Sequence, residues 1–533
     1  VKIRTDIIRH AKELHTWVGI SSGILLFICF MAGGLSMFQH EISKWATPAP
    51  QSLNTIEINQ YNDLISKVQA EHPETLKSFQ LNLDSAEFHY APMQWKAPVE
   101  KRGEEEGIDL HQNAMLASLN EDGSLHVEQE NLSKLGWLIE QLHETAGIPG
   151  SLGHHMLGVY VMGIASVLYF LALMTGLIVL LPTLVKDYFA IRSGKNKKRF
   201  WLDAHNVIGI TSLPFHILIC VTVIAFAFHD VIYDAFDGLI SKDKPLSTRP
   251  PAMKVVEPVE PLNVEKIFAN IQRQAPEYQI SSINFNNLDN PEKASARVNL
   301  YSSEQMLRGD RFDVMMFNPY QTQPYKTSNL NTYAKPMDQL IRSMFSLHFG
   351  NYGGDFTRWL YFIFGIGGAF LFYSGNILWI ESRIKRQKNP ALVPPQQRKD
   401  VRFIANLTVG ACLGCILAVV VAMAIGRWSS LANLALQSIN HVLVYAYYLV
   451  FLLSVIYCFV VGASKALPQL LFSIATILVL LAPFSFVLSL VSATTMSLWW
   501  IDLIALIFAL AFIRFYQQAK ERQKYAEADS IWS

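Results

Sequence analysis

Apolar residues run almost unbroken through eight stretches of the chain, at about 16–38, 155–181, 204–227, 358–380, 403–425, 440–462, 468–490 and 497–516. Each reaches the ~18 residues that a helix needs to cross the hydrocarbon layer, where backbone polar groups must be satisfied within their own segment. The pattern predicts eight transmembrane helices. Two long polar segments, 39–153 and 228–357, interrupt it. Each opens on a helix-spaced apolar set, Leu64, Ile65 and Val68 in the first and Ile267, Phe268 and Ile271 in the second. A Pro-Glu pair follows (Pro73-Glu74, Pro276-Glu277), and then strand-like alternation through Phe79, Leu81 and Leu83, or Ile283 and Phe285. Each polar segment is expected to be a small α+β domain.

The first four helices read as a duplication. His15-Thr16-Trp17-Val18-Gly19 opens helix 1 and His205-Asn206-Val207-Ile208-Gly209 opens helix 3. Leu142-His143 precedes helix 2 and Leu347-His348 precedes helix 4, while Thr175-Gly176 and Ser374-Gly375 stand near the far ends of those two helices. The last four helices have short connections and no His-x-x-x-Gly step. The fold class expected is a mainly α, polytopic membrane protein: a duplicated four-helix core, two external α+β domains and a C-terminal four-helix bundle. The expected division is 1–38 (helix 1), 39–153 (first external domain), 154–227 (helices 2 and 3), 228–357 (second external domain), 358–402 (helix 4 and linker) and 403–533 (C-terminal bundle).

Charge orients this arrangement. Lys and Arg gather in the N-terminal arm (Lys2, Arg4, Arg9, Lys12), in the link after helix 2 (Lys186 to Arg199) and in the link after helix 4 (Arg383 to Arg402). Basic residues collect on the cytoplasmic side, so both termini are expected inside and both long segments outside, in a bacterial inner membrane. The first apolar run exceeds a signal-peptide core and reads as an anchor. Only 16% of the 533 residues are charged and the net charge is +1, which gives no case for nucleic-acid binding. All five cysteines lie in apolar runs, so no disulfide framework is implied, and Cys412-x-x-Cys415 lacks the βαβ setting of a redox motif.

The remaining chemistry is imidazole. His15, His143, His154, His155, His205, His216 and His348 lie at or inside the membrane, where ionisable groups are costly without a partner. A single one reads as an interfacial or core residue. A pair on each side of a duplicated bundle is what clamping a flat buried ligand requires, and haem iron accepts two neutral imidazoles as axial ligands. Gly19, Gly23, Gly176 and Gly209 allow the close approach such a slot needs. The expected pairs are His15 with His205 and His143 with His348. His216 follows His205 by eleven residues, roughly 16 Å farther along a straight helix and on nearly the same face. Of His154 and His155 only one can face the slot. Arg9, Arg199, Arg342 and Arg358 are candidates for haem propionates.

Leu14-His15 to Gly19, Leu142-His143 with Thr175-Gly176-Leu177, Asp203-Ala204-His205 to Gly209, and Leu347-His348-Phe349-Gly350 through Ser374-Gly375 together resemble the PepSY-associated transmembrane family over about residues 1–390. That family includes bacterial siderophore reductases of the ferrioxamine type. The resemblance implies PepSY-like periplasmic domains and, in the reductase branch, two b-type haems held by bis-histidine ligation that carry electrons outward to a ferric siderophore. The electron donor is expected to be a quinone or a cytoplasmic reductase. Two rivals stand beside this reading: a haem-free regulatory or binding protein of the same family, and a transporter with a histidine proton relay.

Overall fold

The computed structural model describes residues 3–47, 53–83, 91–96, 114–152, 155–188, 192, 197–240, 262–309, 312–320, 330–385, 395–432, 434, 436–491, 498–524 and 531–532. Its helices are α1 (Thr5–Ser36), α2 (Gln39–Trp45), α3 (Tyr61–Glu71), α4 (Leu135–Thr145), α5 (Leu157–Leu180), α6 (Leu184–Asp187), α7 (Lys197–Thr211) and α8 (Leu213–Ile240). They continue with α9 (Val264–Gln274), α10 (Pro336–Phe349), α11 (Gly354–Arg383), α12 (Lys399–Leu431), α13 (Leu436–Val461), α14 (Ala463–Val491) and α15 (Trp499–Lys524). The strands are β1 (Phe79–Asn82), β2 (Met93–Lys96), β3 (Ala114–Leu119), β4 (Leu125–Gln129), β5 (Ser151–Leu152), β6 (His155–Met156), β7 (Gln279–Asn286), β8 (Ser295–Tyr301) and β9 (Asp313–Phe317). Two compact units divide the chain: 1–48, 132–229 and 359–533 form the first, and 49–131 with 230–358 the second.

The first unit is the membrane part. Seven helices, α1, α5 and α11 to α15, are long and apolar enough to span, and α7 with α8 makes an eighth if the bent pair is one span. The break overturns the expectation of one straight helix over 204–227. It bends the chain by 66°, and Pro214, second residue of α8, supplies the reason: proline removes an N–H and its ring collides with the carbonyl four residues back. Glycines set how closely the helices meet. A Cβ on Gly365 of α11 would lie 2.8 Å from the Cα of Gly34 in α1, and one on Gly163 of α5 would lie 2.6 Å from the Ala227 Cβ of α8. The C-terminal helices, expected as a separate bundle, belong to this same unit: α12 packs on α13 and α14, and also on α1 and α4.

The second unit gathers both polar segments. Instead of two separate small domains there is one antiparallel sheet of seven strands in the order β4-β3-β2-β1-β7-β8-β9. At its centre β1 of the first segment pairs with β7 of the second, Phe79 opposite Phe285 and Leu81 opposite Ile283. Alone, each segment would leave an open edge of unpaired N–H and C=O groups at that strand, and joining them removes both edges. Helices α3 and α9 bring Leu64, Val68, Ile267 and Ile271 into one core with Leu81, Ile283, Phe285 and Val298. The helix-then-strand order repeats on either side of the central pair, so the sheet carries the same duplication as the membrane helices.

Candidate functional site

Three histidines of the membrane unit share one kind of seat. The His15 Nδ1 lies 2.8 Å from the carbonyl oxygen of Ala172, and a Cβ on Gly176 would come within 3.0 Å of the His15 ring. The His143 Nδ1 lies 3.1 Å from the carbonyl of Cys29, and a Cβ on Gly33 would fall 2.6 Å from it. The His205 Nδ1 lies 2.9 Å from Ser374 Oγ, which itself donates to the Leu371 carbonyl at 3.0 Å. A Cβ on Gly375 would sit 3.6 Å from the His205 ring. The glycines follow the carbonyl residues by four positions in every case: 29 and 33, 172 and 176, 371 and 375.

The spacing has a physical cause. A helical side chain lies over the turn N-terminal to its own Cα, so the residue at i+4 covers the carbonyl of residue i. Glycine at i+4 leaves that carbonyl, and its second lone pair, open to a donor from another helix. The acceptors also fix the tautomer. A carbonyl only accepts, and the Ser374 hydroxyl has spent its proton on Leu371, so Nδ1 carries the hydrogen in each ring. Nε2 is left with its lone pair, the form in which imidazole binds a metal, held by the hydrogen bond on its other nitrogen that metal-bound histidines show.

His15 and His205 face one another. Their ring centroids are 6.4 Å apart and their planes 82° to each other. Two metal–nitrogen bonds of about 2 Å each, plus the ring radius on either side, add up to about that separation, so the spacing of the two rings fits a single iron held between them. A Cβ on Gly19, one helical turn past His15, meets nothing within 4 Å, and one on Gly209 meets only Leu371 at 3.7 Å. Among the described residues no group of three or more His, Cys, Asp or Glu is placed to hold a metal ion. A two-imidazole donor set therefore suits an iron whose remaining ligands come from a porphyrin.

His143 follows from how α4 ends. The helix stops at Thr145, where Ala146 (φ 51°) and Gly147 (φ 76°) turn left-handed, and the imidazole lies back against α1 instead of projecting into a loop. Burial pushes the His143 imidazole below its ordinary value, outweighing the hydrogen bond to the Cys29 carbonyl that favours the charged form. The neutral ring is thus the folded form, while the unfolded chain takes up a proton. Its contribution to stability is complete above about pH 6.5 and is lost as pH falls through the window below that value. Thermal unfolding of the full chain without haem is expected to show this acid-side slope, and a His143→Asn variant, which keeps a donor to Cys29 but cannot titrate, is expected to lose that part of it.

His216 is fully buried, with neither ring nitrogen hydrogen-bonded. It has a glycine seat without the bond: a Cβ on Gly368 would lie 3.0 Å from its ring. The Phe30 ring is 5.4 Å away and the Tyr169 ring 5.9 Å, and the Tyr169 hydroxyl is also without a partner. Because Cys29 holds His143 and Phe30 touches His216, the two rings meet α1 at adjacent residues. The 66° break before α8 removes the straight-helix reckoning that carried His216 16 Å along the face of His205. His348 lies in the second unit, next to the last residue of α10. His154 is outside the described residues.

Three arginines named for propionates are engaged with carboxylates: Arg199 with Asp203, Arg358 with Asp355 and Arg342 with Asp313. Tyr169 was missed by sequence reasoning, since a tyrosine in an apolar run carries no motif. A family model described as the PepSY-associated TM region matches residues 12–382. No curated protein matches the chain.

Proposed function

The chain belongs to the PepSY-associated transmembrane family, and from that premise we propose that it is a haem-b oxidoreductase of the bacterial inner membrane that reduces a ferric siderophore on the periplasmic side. The observation that carries this reading is the repeated seat: three half-buried imidazoles each with Nδ1 hydrogen-bonded and Nε2 left for a metal, two of them 6.4 Å apart. His15 and His205 hold one haem. His143 holds the second, and alanine variants of His216 and His348 assign its partner. When bound, the haems supply one-electron chemistry, taking electrons from a quinone or a cytoplasmic reductase.

The chain's own residues do the rest. The carbonyls of Ala172 and Cys29 and the Ser374 hydroxyl hold the imidazoles in one tautomer and one orientation. Reduction frees iron because hard oxygen chelators hold Fe(II) less tightly than Fe(III). A histidine proton relay is less well supported, since a relay needs linked donors and acceptors and both nitrogens of His216 lack a partner.

The test is the visible spectrum of the purified full chain, oxidised and dithionite-reduced, with haem counted against protein. Low-spin bands and two haems per chain are expected. A colourless, folded protein removes the proposal.

A further inference from the structure

A second group of buried polar side chains lies in the membrane unit, all but one of them beyond the residues of the family match. Arg427 on α12 is 5% exposed and Asp502 on α15 is 3% exposed. Trp45, at the end of α2, sits between them: its indole donates to Asp502 Oδ2 at 3.1 Å and its carbonyl accepts from Arg427 Nη1 at 2.7 Å. Arg427 Nε donates to the Ser485 hydroxyl of α14 at 3.3 Å. Each charged group then has one atom left over. Arg427 Nη2 and Asp502 Oδ1 are buried and have no hydrogen-bond partner.

A pair of opposite charges buried among apolar helices is costly, and a purely structural pair recovers most by direct, fully satisfied contact. Here the guanidinium and the carboxylate bracket a serine and an indole, and a donor and an acceptor remain open. What completes them must offer an acceptor to Arg427 and a donor to Asp502. The carboxylate repels an anionic headgroup and the guanidinium repels a cation, so the ligand is neutral. It arrives through lipid, because Phe484, Phe486 and Val487 around Ser485 and Leu503 beside Asp502 are exposed on the membrane unit. The cluster also stands close to the second haem position. A Cβ on Gly426 would lie 3.4 Å from both Ala46 and Leu135, and Leu135 begins the helix that carries His143, eight residues or about 12 Å farther on.

We propose that Arg427, Asp502, Ser485 and Trp45 form the binding site for the head group of a membrane hydroquinone, whose hydroxyls both donate and accept. That this ligand is the electron donor rests on the preceding reading; the site itself does not.

The experiment is titration calorimetry of the full chain in lipid nanodiscs with duroquinol, for the wild type, Asp502→Asn, Arg427→Lys and the lipid-facing Val487→Ala. Saturable binding is expected for the wild type and Val487→Ala, and at least about tenfold weaker binding for the other two, the usual effect of losing a hydrogen bond to a charged group. Melting temperatures and haem content of the variants establish that they are folded, and Arg427→Lys serves where Asp502→Asn is not. No saturable binding by the wild type, or equal binding by folded Asp502→Asn and Arg427→Lys, overturns the inference. A haem-loaded protein that does not bind duroquinol removes this site and leaves the function standing; a haem-free protein that binds it does the reverse.

Discussion

His205→Ala is expected to lower the haem content from two per chain to one and to remove one set of low-spin bands. Its counterpart His15→Ala is expected to do the same. A haem held by two imidazoles loses its low-spin state with either, and the two rings face each other at 6.4 Å with no third histidine in contact with both among the described residues. The double variant is therefore expected to lose no more haem than either single one, the signature of two residues acting on one centre. Gly33→Val is the complementary arm. Its Cβ would lie 2.6 Å from the Nδ1 of His143, so the ring must leave its seat, and the loss is expected in the other haem while the His15/His205 one remains. Pyridine haemochrome assay and reduced-minus-oxidised spectra read both. Haem lost equally from both centres in His205→Ala, with the fold intact, would disprove the assignment of ligands.

The duplication was legible because its markers are local: a histidine and a glycine four apart, and a hydroxyl residue next to a glycine. What joined them was not. That Gly176 uncovers the carbonyl of Ala172 for a ring on another helix is a relation between elements, visible only after packing, although the Thr175-Gly176 and Ser374-Gly375 steps were in plain sight. The break in the third span had a local cause that hydropathy ignores, since Pro214 counts as little against an apolar window yet turns the chain by 66°. Joining the two polar segments depends on which edge strand meets which, and β1 and β7 are separated by nearly two hundred residues of sequence. Arg427 and Asp502 carried the clearest unread signal: a lone charge in or beside an apolar run is expensive, and Asp502 sits inside one while Arg427 stands two residues past the end of another.

The second unit holds the other large effect. Asp313 is fully buried on β9 and accepts from Arg342 of α10, itself 2% exposed, from the Tyr278 hydroxyl at 2.9 Å and from the Arg308 backbone N–H at 3.0 Å. The carboxylate ties the last helix of the unit to the edge of its sheet. Asp313→Ala is expected to destabilise this unit by about 3–5 kcal/mol, because it strands the Arg342 charge in the interior. For a unit of this size that is a fall in melting temperature of roughly 10 °C, accompanied by faster hydrogen exchange at β8 and β9. The cost lies in the stranded charge more than in the lost bonds, so Asp313→Ala with Arg342→Met, which leaves an apolar chain of similar length, is expected to recover much of it. The bands of the haem assigned to His15 and His205 are expected to be unchanged in both variants. If the double variant is as unstable as the single one, the account of a stranded charge fails and the hydrogen bonds from Tyr278 and Arg308 carry the stability instead.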